Sequence, residues 1–303
     1  MKDEAKKLFY EVSISDDLIE YTSIEDKLEK WKTKINSEIS EKLKEPLVIL
    51  DESLRFMFAL SEHYASLEPQ THKGTFEIQI AKIRSDIVAI RELLLIGQSS
   101  AAYSIFRTFI EDVEVAMAVL VDEEFAEAYG DPDIVDFWSK YIGYGKIKKY
   151  VKEFIIRAGG TEDQVDWQIA RSRAFKTYLS SHVHASFGTS LSSAFPEAVD
   201  FPGHFNAFPL GAYEKNMVPV CMAVSEMVHS FSASLINSLI SKNPPPLLAM
   251  EHVGPTFKTL IASAHVLQEL VANHSERIYG EFENIVKNWE ADIDDSGDFC
   301  GDV

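Results

Sequence analysis

Apolar residues recur at three- and four-residue spacing along most of this chain, and that period predicts helices. Leu28, Trp31, Ile35, Ile39 and Leu43 form one stripe among many charges, an amphipathic helix expected to end before Pro46. A second helix is expected from about Leu47 to Leu67, more apolar than the first and so more deeply buried. Residues 68–74 read as a loop. The period resumes at Phe76 and runs through Ile80, Ile83, Ile87, Ile90, Leu94 and Leu95, with Gly97 positioned to stop it. The next helix, roughly Ser99–Val121, is rich in Ala and large apolar residues. Beyond Asp131-Pro132-Asp133 a helical stretch reaches Ala158-Gly159-Gly160, and Thr161-Glu162-Asp163-Gln164 has the form of a capping box. The helix it opens carries Trp167, Ile169, Phe175 and Leu179. Further helices are expected over about 214–241, ended by Pro244-Pro245-Pro246, and over about 256–289. Few windows show the strict alternation of a half-buried strand. The expected fold class is all-α, a multi-helix bundle.

The pattern divides the chain into an N-terminal helical extension (1–75), a helical core (76–186), a connecting loop (187–212), C-terminal helices (213–290) and an acidic tail (291–303). The loop mixes five phenylalanines with three prolines, so it reads as packed, either a structural loop filling a hydrophobic groove or a lid over a bundle end. Hydrophobic residues at 46% and charged residues at 25% are those of a globular protein rather than a disordered one. The opening Met1-Lys2-Asp3-Glu4-Ala5-Lys6-Lys7 lacks the apolar core of a signal peptide, and runs such as Val115–Val121 are too short to cross a bilayer. Cys221 and Cys300 make no disulfide framework. A cytoplasmic protein without a membrane is expected. The net charge of −19 argues against a protein that coats nucleic acid, although a local basic site is compatible with it.

Candidate chemistry lies on two helices. Ser100, Ser104, Arg107, Glu111 and Glu114 share one stripe, with Arg107 and Glu111 a turn apart, so the stripe is either a solvated face or a polar cleft. Arg173, Thr177, Ser180, Ser181 and His184 share a face of the later helix, and His is suited to proton transfer near neutral pH. His182 and His184 diverge too far on a helix to hold a metal together, and no metal or cofactor is expected. Lys140, Lys146, Lys148, Lys149, Lys152 and Arg157 reverse the local sign of charge, with Tyr141, Tyr144 and Tyr150 interleaved. Phosphate attraction with base stacking is one reading of that segment, and a solvated helix face is the other. The acidic run Asp292–Asp298 starts like a calcium loop, but Val303 stands where the closing Glu belongs.

The stretch from about Phe76 to Ser186 resembles a bacterial helical family related to the HEPN superfamily. The residues that carry it are Gly97-Gln98-Ser99-Ser100-Ala101-Ala102, Arg107-Thr108 with Glu111, Tyr178-Leu179-Ser180, and His184-Ala185-Ser186. The resemblance implies a helical bundle that often dimerises, hence a homo-oligomer, and in many members a toxin or defence effector that cuts RNA without metal. Catalytic members carry an Arg four to six residues before the His. Here the nearest is Arg173, about 16 Å from His184 along an ideal helix, so the cation must come from Arg107 or a partner subunit. The first expectation is therefore a metal-independent endoribonuclease. His184 transfers the proton, Arg107 stabilises phosphate charge, Glu111 orients Arg107, and Lys146, Lys148, Lys149, Arg173 and Ser181 hold the RNA. The second is a non-catalytic module that binds a nucleotide-like ligand or a partner protein. The third is a buried structural network.

Overall fold

The computed structural model describes residues 24–67, 73–131, 136–143, 145–183, 217–239 and 254–274. Among them every regular element is helical and there is no strand. The helices are α1 (Ile24–Lys42), α2 (Lys44–Ser66), α3 (Lys73–Leu95), α4 (Ser99–Val121), α5 (Glu123–Gly130), α6 (Lys148–Arg157), α7 (Glu162–Val183), α8 (Met217–Leu239) and α9 (255–274). A π-helical turn, Trp138–Ile142, precedes α6.

Local chemistry explains most of the boundaries. α1 ends at Lys42, before Pro46 as expected, but the proline belongs to the next helix. It sits in the first turn of α2, where a missing N–H costs nothing because first-turn N–H groups have no partner inside the helix. A single residue, the buried Leu43, joins the two helices. α3 closes as the glycine pattern predicts: Gly97 takes a φ of 75°, its N–H donates to the Leu94 carbonyl, and Gln98 N–H donates to the Leu93 carbonyl. At the start of α7 the capping box is complete. Thr161 Oγ1 accepts from Gln164 N at 3.3 Å, and Gln164 Oε1 accepts from Thr161 N at 2.9 Å.

The stretch expected as one helix up to Gly160 is broken instead. The π-helical turn closes with Gly143 N donating to Trp138 O at 2.7 Å, and the Trp138 ring lies over Gly143 so closely that a Cβ there would be 2.6 Å from it. A larger residue there would require the indole to shift. Gly145 then turns the chain with a φ of 76° into α6. Residues 187–212, the acidic tail and Cys300 lie outside the described residues.

The buried side chains form a single cluster that runs from Ile35 on α1 to Val271 on α9. α4 is its axis. From Asp112 to Val121 every residue is buried, so this helix has no solvent face along its second half. α3, α5, α6, α7 and α8 all pack against it. α8 is apolar and long enough to cross a membrane by length and composition, yet two-thirds of its most apolar window is buried against the other helices. α9 docks at the end of α2, where Thr256 Oγ1 is within hydrogen-bond distance of His63 Nδ1 and Ser66 Oγ.

Candidate functional site

An axial helix buried on all sides has to neutralise whatever charge it carries, and α4 carries Asp112 and Glu114 inside the core. Their partners come from different helices and define two polar clusters. A third cluster joins α7 to α8.

The first lies between α3, α4 and α5. Gln79, Lys82 and Asp86 sit three and four apart on α3 and face Asp112. Gln79 Nε2 donates to both the Asp112 carbonyl and Oδ1, and Lys82 Nζ approaches Oδ1 at 2.5 Å. Tyr129 Oη from α5 donates to Gln79 Oε1 at 2.7 Å. Oδ2 of Asp112 and Oδ2 of Asp86 are both buried without a protein donor, and the two carboxyl groups hydrogen-bond to each other. Two acceptors in contact need one proton between them. Burial, then the hydrogen bond to Asp112 and its negative charge, push the Asp86 carboxyl up to about 7, against the opposing effect of Lys82.

The second cluster is the polar stripe expected on α4, and it faces α7. Arg107 Nη2 and Glu111 Oε1 are 3.9 Å apart on a third-exposed face. One turn further on Glu114 is buried, accepts from Lys176 Nζ at 2.6 Å, and is hydrogen-bonded by Ser172. Burial raises the Glu114 carboxyl above the usual range despite the lysine. The stripe therefore passes from half-solvated at Arg107 to core at Glu114, and its nearest cation on α7 is Lys176.

The third cluster is the buried ion pair of Arg171 on α7 with Glu226 on α8, whose side chains are 4% and 5% exposed. The guanidinium lies 4.6 Å from the Trp167 ring and 5.9 Å from that of Phe175, between aromatics one turn either side of it. Beside it a cavity of about 290 Å³ opens between the C-terminal end of α6, the first half of α7 and the second half of α8, with Met117 of α4 among its walls. His229 lines it. Burial, and the neighbouring Arg171 charge, lower its imidazole below the ordinary histidine range.

No family model, curated protein or solved structure matches this chain. Arg107 and Glu111 meet as expected; Arg173 is exposed on α7, and Ser181 lies in its last turn. His184 lies just outside the described residues. Lys146, Lys148 and Lys149 are exposed around the entry to α6. One expectation is corrected: Tyr141 and Tyr150 are buried with their rings packed against Phe125, so they present no face for a base to stack on. No group of three metal-ligating side chains occurs among the described residues.

The pair Asp86–Asp112, the pair Arg171–Glu226, and His229 were not anticipated. Glu226 was visible as the sole acidic or basic charge in a 23-residue apolar helix, three residues before His229. Gln79, Lys82 and Asp86 were visible as a polar row inside an apolar period.

Two measurements follow from these clusters. Because the folded Asp86 carboxyl holds its proton above the unfolded value of about 3.9, the unfolded chain releases it first. Stability carried by this group is complete below about pH 4 and is lost as pH rises to about 7. Thermal melts should show Asp86→Asn matching wild type near pH 4.5 and exceeding it at pH 8. Urea denaturation should separate the other two clusters. Glu226→Ala strands a buried guanidinium and should cost about 3–5 kcal/mol, whereas Arg107→Ala breaks a part-exposed pair worth about 0–1 kcal/mol.

Proposed function

We propose that the chain is a non-catalytic helical binding module whose phosphate-facing surface is the lysine row at the entry to α6. The observation that carries this reading is one of charge. Lys140, Lys146, Lys148, Lys149 and Lys152 fall within residues 137–152 with no Asp or Glu among them, in a chain of net charge −19. All five are exposed. Lys140 and Lys149 stand over the rings of Tyr141 and Tyr150 at 4.6 and 4.3 Å, and Lys146 donates to the Ser139 carbonyl at 2.7 Å. Lys152 is committed to Glu162 at 2.8 Å. The buried tyrosines act here as supports that fix lysine stems in place, and the ammonium groups form a local anion-attracting surface. The ligand is a nucleotide-like polyanion, with single-stranded RNA as its simplest form.

The metal-independent ribonuclease is a second reading. It is favoured by the part-exposed Arg107–Glu111 pair on the face packed against α7, the helix that leads into His184. In it Glu111 holds Arg107 for the phosphate and His184 transfers the proton.

Anisotropy of a fluorescein-labelled 12-nucleotide single-stranded RNA tests the first reading. Wild type should bind at low salt, with a log–log salt slope near −2 if three phosphates are contacted, at roughly 0.7 per contact. The triple variant Lys146→Glu, Lys148→Glu, Lys149→Glu should abolish binding; unchanged affinity in that variant would sink the reading. Total RNA incubated in EDTA with wild type and with His184→Ala tests the second. Cleavage by wild type alone supports it, and an inert wild type removes it.

A further inference from the structure

The cavity between α6, α7 and α8 has properties that the lysine row does not explain. Its wall includes Gln164, Gln168, Ser230, Ser234, Asn237 and His229, together with the Trp167 indole, and no Asp, Glu, Lys or Arg. Gln168 decides what the cavity is for. It is 6% exposed, it lines the cavity, and its amide makes no hydrogen bond with any described residue. Its amide has two donors and an acceptor, and they open onto the cavity rather than into the packed core. The amide is therefore available to a partner that enters the cavity.

The remaining walls narrow the chemistry of that partner. Gln164 has its Oε1 committed to the helix cap of Thr161, which fixes its amide at the rim. Ser230, Ser234 and Asn237 come from successive turns of α8 and add short groups that both donate and accept. Trp167 is 46% exposed and has the Arg171 guanidinium packed 4.6 Å from its ring, so it is a flat wall held in place from behind. Arg171 is itself neutralised by Glu226, so the pair adds no net charge beside the cavity. Burial, then the Arg171 charge, lower the His229 imidazole below the ordinary histidine range, and its neutral form offers one donor and one acceptor. At about 290 Å³ the space lies at the lower end of the ~300–1,000 Å³ range of small-molecule pockets.

We infer that this cavity binds a neutral planar heterocycle with alternating donor and acceptor edges, the chemistry of a nucleobase, read by the Gln168 amide and stacked on Trp167. Amide side chains suit such an edge because each can give and take a hydrogen bond in one plane. The base lies inside, and any sugar lies in the open mouth. This site is separate from the lysine row and stands whether or not that row binds phosphate. It sits at the opposite end of α6, about 15 Å away along a ten-residue helix.

Uncharged probes separate the two sites. Adenosine, guanosine, cytidine and uridine are titrated into the full chain, read by tryptophan fluorescence and by isothermal calorimetry. At least one nucleoside should bind at sub-millimolar concentration. Gln168→Leu should weaken it at least tenfold, about the worth of one amide hydrogen bond. It should leave the melting temperature unchanged, because the amide it removes faces the cavity and makes no bond within the protein. Ser234→Phe, which fills the cavity from α8, should abolish binding in a protein whose circular dichroism is unchanged. The triple lysine-to-glutamate variant should bind the nucleoside as wild type does. Failure of all four nucleosides to bind into the millimolar range overturns the inference. So does binding that survives both Gln168→Leu and Ser234→Phe.

Discussion

The burial of α4 on every side is the constraint on which the rest of this fold depends. A helix with a wet face can leave its charges in water. From Asp112 to Val121 this one cannot. Each carboxylate in that stretch must therefore find a cation or a donor on a neighbouring helix, and each pairing fixes the rotation of that neighbour. Asp112 sets the register of α3 through Gln79 and Lys82, and of α5 through Tyr129 behind Gln79. Glu114, on the other side, sets α7 through Lys176. Apolar contacts alone would tolerate sliding by a fraction of a turn. Hydrogen-bonded carboxylates at about 2.5–3.1 Å do not.

Once α7 is fixed, its other residues follow. Lys176 and Ser172 face α4, so Arg171 and Gln168 are carried round toward α8. Arg171 meets Glu226 there and locks α8 in turn. The cavity is what remains where α8 passes the Ala158-Gly159-Gly160 corner. That corner is tight: Gly159 has a φ of 84°, and a Cβ on Gly160 would lie 2.5 Å from the Ile155 side chain and 2.9 Å from its carbonyl oxygen. Two glycines thus let α6 turn into α7 closely enough to leave a space of small-molecule size.

Much of the fold was legible in the sequence because it is written in period and punctuation. The bounds of α4, the glycine stop of α3 and the capping box of α7 are local events, decided within four or five residues. The break before α6 was missed for the opposite reason. It depends on Trp138 folding over Gly143, a contact that a search for apolar stripes passes over. Pro46 marked the end of α1 to within a few residues, because proline is excluded from a helix interior yet is neutral in the first turn where it sits. The clusters were less legible than the helices. Arg107 and Glu111 are i, i+4 neighbours and announce themselves, but Asp112 with Asp86, and Arg171 with Glu226, are 26 and 55 residues apart. Sequence gives the cost of burying each such group and not the identity of its partner. Aromatic residues near lysines carried a similar ambiguity, since a tyrosine that stacks a base and one that supports a lysine stem from the core have the same spacing.

Charge also explains why the cavity beside Arg171 is neutral. An unpaired guanidinium at that position would project a strong positive field through a low-dielectric wall and would select anions. Glu226 cancels that field at short range, so what reaches the cavity is a dipole. Its residual positive side still opposes protonation of His229, and burial acts in the same direction. The cavity wall carries no Asp, Glu, Lys or Arg, although an ion pair lies immediately behind it. A site of that kind discriminates by hydrogen-bond pattern and shape rather than by charge. A poorly matched edge displaces the water that solvates the Gln168 amide without replacing its hydrogen bonds. The lysine row lies at the far end of α6, so under the proposals made above charge recognition and edge recognition are divided between the two ends of one short helix.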